Sequence, residues 1–129
     1  MGMEMYAEEI ISNYEHPHNK RKIENAPISL HDYNPVCGDD ITMYANTDGT
    51  KITDVSFEGS GCAISIGTAS MLTDILIGKS IEELRSMNAN TVIELIGVDP
   101  GPVRLKCATL SLKTLQKALI LYDSTHKKP

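Results

Sequence analysis

Apolar positions near the N-terminus recur at helical spacing. Met3, Tyr6, Ile10 and Tyr14, flanked by Ala7 and Ile11, alternate with Glu4, Glu8 and Glu9, which predicts an amphipathic helix over 3–14. Pro17 disfavours helical dihedrals at the residue before it, so this helix should stop around Glu15-His16-Pro17. Ile28 to Tyr33 alternates weakly as a short strand. Ile41, Met43 and Ala45 alternate clearly with Thr42, Tyr44 and Asn46, and Ile52, Val55 and Phe57 form a return strand. Between them Thr47-Asp48-Gly49-Thr50 carries the Asp-Gly pair that a tight hairpin turn favours. From Ala63 to Ile77 the chain is small and apolar, as in a buried helix, and Gly78 is placed for a left-handed C-terminal turn. Ser80-Ile81-Glu82-Glu83 has the form of a capping box, and Thr91 to Ile96 suggests a brief helical turn ending at Gly97. Asp99-Pro100-Gly101-Pro102 reads as a loop. Leu105, Leu112, Leu115, Leu119 and Tyr122 then fall on one stripe of a last helix, with a frayed tail over 124–129.

Strands first and helices after predict an α+β class, with a small three-stranded antiparallel sheet packed against several helices in two layers. A length of 129 residues and 41% hydrophobic content suit one domain over 1–129 with a continuous core. The net charge is -5, and Lys20-Arg21-Lys22 is too short a basic run to track a phosphate backbone, so no nucleic-acid partner is expected. No window approaches the ~18 apolar residues of a spanning helix, and the N-terminus lacks a basic flank before an apolar core. A cytoplasmic protein with no membrane association is expected. Three cysteines cannot all pair within one chain, which argues for reduced thiols with another use.

Each cysteine stands where a loop should meet an element. Cys37 lies in Asn34-Pro35-Val36-Cys37-Gly38-Asp39, Cys62 follows Gly59-Ser60-Gly61, and Cys107 falls in the first turn or so of the last helix. Such positions expose a thiol, and the glycines allow close backbone approach. A free cysteine is among the most buried residue types, so none of the three argues function by itself. Asp39 alone reads equally as a turn residue. If the four converge, three thiolates and one carboxylate make a four-ligand set suited to zinc or to one edge of an iron-sulfur cluster. A hard carboxylate oxygen matches a soft metal-sulfide centre poorly and should exchange readily, which suits delivery more than permanent storage. His16, His18, His31 and His126 lie beside no cysteine and read as surface or packing residues, and Met71 and Leu72 read as core.

These segments resemble those of the U-type iron-sulfur scaffold proteins, IscU and its relative SufU, over nearly the whole chain. Asn13-Tyr14-Glu15-His16-Pro17-His18-Asn19 is similar to the family's first helix end, Asn34 to Asp39 to its first ligand motif, Gly59-Ser60-Gly61-Cys62-Ala63-Ile64-Ser65 to its second, and Arg104-Leu105-Lys106-Cys107-Ala108 to its third. The resemblance implies that Cys37, Cys62 and Cys107 are cluster ligands and Asp39 the labile one. It implies a scaffold, not an enzyme, that takes sulfur from a cysteine desulfurase, builds a transient 2Fe-2S cluster and hands it to apo-proteins, with a homodimer around the cluster as one arrangement. The alternative is a SufU-like sulfurtransferase in which the same residues hold zinc, or an iron ion occupies the site. Lys106 stands where IscU-like members have histidine, yet the Cys62 to Cys107 stretch has the shorter IscU-like layout; Asn13 and His18 stand where the family often has His and Arg. Cys107 is the expected first sulfur acceptor, on the argument that a helix start with Arg104 and Lys106 nearby favours the thiolate.

Overall fold

A computed structural model describes residues 2–35 and 38–125, and the side chains from residue 8 onward within them. Eight elements follow in the order helix α1 (Gly2–Glu15), strands β1 (Ile28–Asn34), β2 (Asp39–Thr47) and β3 (Ile52–Ser60), then helices α2 (Ala63–Leu76), α3 (Ile81–Ser86), α4 (Ala89–Ile96) and α5 (Gly101–Thr125). The strands form one antiparallel sheet in the order β1-β2-β3. Ile41, Met43 and Ala45 are fully buried, as their alternation predicts. Asp48 Oδ1 accepts the Thr50 and Lys51 N–H groups, so the hairpin closes through a longer loop than a two-residue turn, with Gly49 at φ +101°.

Helices α2 and α5 cover the sheet, and α1 packs outside α2, which gives the expected α+β two-layer arrangement. The core joins Ile41, Met43, Phe57, Leu72, Leu112 and Leu115, with Met71 packed at its edge. Helix α2 stops where Gly78 takes φ +93°, and the Gly78 N–H donates to the Ile52 carbonyl, joining the helix end to the start of β3. Ser80 and Glu83 form the expected capping box of α3. Helix α4 begins earlier than its apolar residues suggest, because Asn88 and Thr91 make a reciprocal cap, and it ends at Gly97 with φ +75°.

Three expectations are corrected. The Pro-Gly-Pro segment opens α5: Gly101 at φ +84° takes the non-helical position, its N–H donating to Asp99 Oδ1 at 2.9 Å, and Pro102 follows in the first turn, where a missing N–H costs nothing. On α1 the described buried positions are Ile10 and Asn13, while Tyr14 and Ile11 are exposed. Asn13 can be buried because its Oδ1 accepts the Ser70 hydroxyl of α2 at 2.6 Å. Met3, Tyr6 and Ala7 lie outside the described side chains. The tail expected to fray from 124 stays helical through Thr125, and 126–129, including His126, lie outside the described residues.

Candidate metal centre

Three segments distant in sequence meet at one end of the sheet. Asp39 opens β2 and faces Asn34 of β1 in the strand register. Cys62 is the N-cap residue of α2, and its Sγ accepts the Ser65 N–H at 3.4 Å. Cys107 lies in the second turn of α5, and its Sγ accepts the Asn34 side-chain amide at 3.7 Å. One oxygen of Asp39 and the two sulfurs lie within 4.8 Å of one another. Among the described residues no histidine joins this group: His18 pairs with Asp74 and His31 with Asp40, each at 2.6 Å on the surface. Cys37 lies outside the described residues.

The local backbone explains how a carboxylate reaches two thiols. Asp39 Oδ1 accepts the Cys62 N–H at 2.9 Å, which ties the start of β2 to the start of α2. A Cβ on Gly61 would lie 2.5 Å from that same oxygen, so the residue before Cys62 must lack a side chain for the carboxylate to sit where it does. Gly59, at φ +142°, passes so close to the Asp40 carbonyl that a Cβ there would collide with it. The glycines read from the sequence as licences for close approach act here against Asp39 and Asp40.

Burial sets the chemistry. Asp39 is 0% exposed, and its Oδ2 has no hydrogen-bond partner among the described residues. An isolated carboxylate oxygen held out of water is costly unless a cation or donor meets it. With the two sulfurs, the Asp39 carboxylate makes a donor set of the kind that binds zinc or an iron-sulfur edge, so these residues fit such a group. The centre is flanked by two grooves. An apolar one of about 360 Å³ runs between Ile10, Ile11, Ile64, Val98, Pro100 and Arg104, and a smaller one holds Tyr33, Pro35 and the lysines Lys106, Lys113 and Lys117.

Two sequence expectations change. Cys107 is not in the first turn of its helix, because the helix starts at the Pro-Gly-Pro segment, and it is 1% exposed. Of the two described thiols, Cys62 holds the helix N-terminus and is half-buried. Asn34 was not singled out, because an Asn before Pro reads as a turn signal and nothing in the spacing connects residue 34 to residue 107.

The NifU-like N-terminal domain model matches residues 5–129. The chain belongs to this family. The zinc-dependent sulfurtransferase SufU of Bacillus subtilis is 36% identical over 89% of each chain. The iron-sulfur cluster assembly scaffold protein IscU 1 of Archaeoglobus fulgidus is 35% identical over 92% of this chain and 76% of its own. A crystal structure of a candidate scaffold protein for the SUF system from Fervidobacterium islandicum superposes with a TM-score of 0.76, at 33% identity, over 92% of this chain and 99% of that one. The NifU-like assignment agrees with the resemblance carried by the cysteine segments. No helix among the described residues is long and apolar enough to cross a membrane.

Proposed function

We propose that this chain, acting as a single domain over 1–129, is an iron-sulfur cluster assembly scaffold. It takes sulfur from a cysteine desulfurase, assembles a transient 2Fe-2S cluster on Cys37, Asp39, Cys62 and Cys107, and passes it to apo-proteins. The observation that carries this reading is the fully buried Asp39 carboxylate, one oxygen of which lies within 4.8 Å of the Cys62 and Cys107 sulfurs while its Oδ2 has no hydrogen-bond partner among the described residues. Carboxylate oxygen binds a soft centre less firmly than thiolate does, so this ligand leaves first and the cargo departs with it. In the loading step an acceptor thiolate attacks the outer sulfur of the donor's persulfide. The new S–S bond forms as the old one breaks, and the donor leaves as a thiolate, so no external oxidant is required.

Of the two described cysteines, Cys62 is half-buried and Cys107 is 1% exposed, which favours Cys62 as the sulfur a donor meets first. The comparison of Cys62→Ser with Cys107→Ser for persulfide formation separates them, because the first acceptor's variant loses it outright.

The test of the whole reading mixes anaerobic protein with a cysteine desulfurase, cysteine, ferrous iron and a reductant. Visible absorption, metal content and transfer to an apo-ferredoxin are then followed. A stoichiometric, transferable cluster is the expected result, and iron per chain reports whether two copies share one. Retained zinc with persulfide and no cluster would overturn the scaffold in favour of the zinc-held sulfurtransferase, the role named for the 36% identical Bacillus relative.

A further inference from the structure

Asn34 stands at the junction of two of the ligand segments. It ends β1 and faces Asp39 across the β1–β2 ladder. Its carbonyl accepts the Gly38 N–H at 2.8 Å, one residue before Asp39. Its side-chain amide, on a residue only 7% exposed, donates to Cys107 Sγ at 3.7 Å across 73 positions of sequence. A buried amide is held where its hydrogen bonds are met. Here one of those bonds goes to a sulfur that the cluster would use.

We propose that Asn34 is a positioning residue of the metal centre, whose side-chain N–H orients the Cys107 sulfur and draws electron density from it toward the amide. The inference rests on the reading of Cys107 as a ligand. Groups that hydrogen-bond to ligands fix their direction and tune the electron density they offer the metal. In the same way, an N–H donated to a thiolate lowers the energy of its donor orbitals. Thiolate-to-metal charge transfer then requires more energy, and losing the amide should shift that band to longer wavelength. A residue that merely filled space at the end of β1 would leave the band where it is.

The experiment titrates Co²⁺ anaerobically into the full chain, reads the sulfur-to-cobalt charge-transfer band and measures affinity by chelator competition. Wild type, Asn34→Ala and the near-isosteric Asn34→Asp are compared, with circular dichroism checking the fold. Both variants are expected to keep the fold, to shift the band to longer wavelength and to bind Co²⁺ roughly 10–100-fold more weakly. In a Cys107→Ala background, Asn34→Ala should leave the remaining band unmoved, because the sulfur it acts on is gone. An unmoved band in Asn34→Ala, or in Asn34→Asp should the alanine variant unfold, overturns the proposal. Unfolding of both variants overturns it too, leaving Asn34 a residue of the strand end. Wild type without any charge-transfer band would sink the metal-centre reading itself, an outcome distinct from a variant that behaves like wild type.

Discussion

Asp39 and Gly61 constrain each other. A methyl group at residue 61 would meet Asp39 Oδ1 at 2.5 Å and the Asp39 Cα at 3.2 Å; the oxygen is the free end of a side chain, so the carboxylate can swing away with the backbone giving only a few tenths of an ångström. Swinging away breaks its bond from the Cys62 N–H and moves the carboxylate relative to the two sulfurs. Gly61→Ala should therefore reproduce Asp39→Ala: a folded protein that releases its cluster to apo-ferredoxin about tenfold more slowly, the lower end of what changes around a ligand usually cause. Transfer kinetics for the three proteins decide this, and faster release from either variant would rule out Asp39 as the exchangeable ligand. The candidate ligands were legible in the sequence because glycines and a neighbouring carboxylate mark them. That Cys107 is buried, that Cys62 caps a helix and that Asn34 reaches Cys107 depend on which distant segments meet, and spacing along the chain carries none of that.

Helix α1 is held against α2 at a point with no room for a side chain. A Cβ on Gly67 would lie 2.6 Å from the Ile10 carbonyl, a backbone atom that cannot rotate aside, so α1 must shift as a unit. Gly67→Ala is expected to destabilise the fold by about 1–3 kcal/mol, as overpacking does, despite the better helix propensity of alanine. A thermal melt showing a stabilised variant would mean that α1 does not sit where it is described. Elements with local signals were readable: the Ser80–Glu83 capping box and Gly78 act within a few residues of themselves. The burial of Asn13 was not legible, because it depends on Ser70, which is 57 positions away. The start of α5 was misread for a different reason. Proline is a loop signal inside an element but a favoured residue in a helix's first turn, and only the dihedral at Gly101 tells which applies.

At the scale of the whole molecule, two surface ion pairs among the described residues tie α5 to other elements, and both depend on aspartates. Lys117 Nζ lies 2.7 Å from Asp32 Oδ2 of β1, and Arg85 of α3 forks onto both oxygens of Asp123, with Nη2 2.9 Å from Oδ1. The lysine's hydrogen bond holds Asp32 below the ordinary aspartate value of 3.8, and the guanidinium does the same to Asp123. A carboxylate whose pKa is lower in the folded state stabilises the fold fully above its unfolded value and loses that contribution as pH falls through the folded one. Both pairs are solvent-screened, so each contributes at most about 1 kcal/mol. Asp123→Asn should thus lower the melting temperature by about 2–4 °C at neutral pH, a gap that closes as pH falls through the ordinary aspartate range and below it, when wild type loses the same interaction. Added salt at neutral pH should narrow the gap in the same direction. Melting curves of the two proteins from neutral to acid pH test this, and a gap that stays constant across the range would show that Asp123 stabilises α5 through packing and not through its charge.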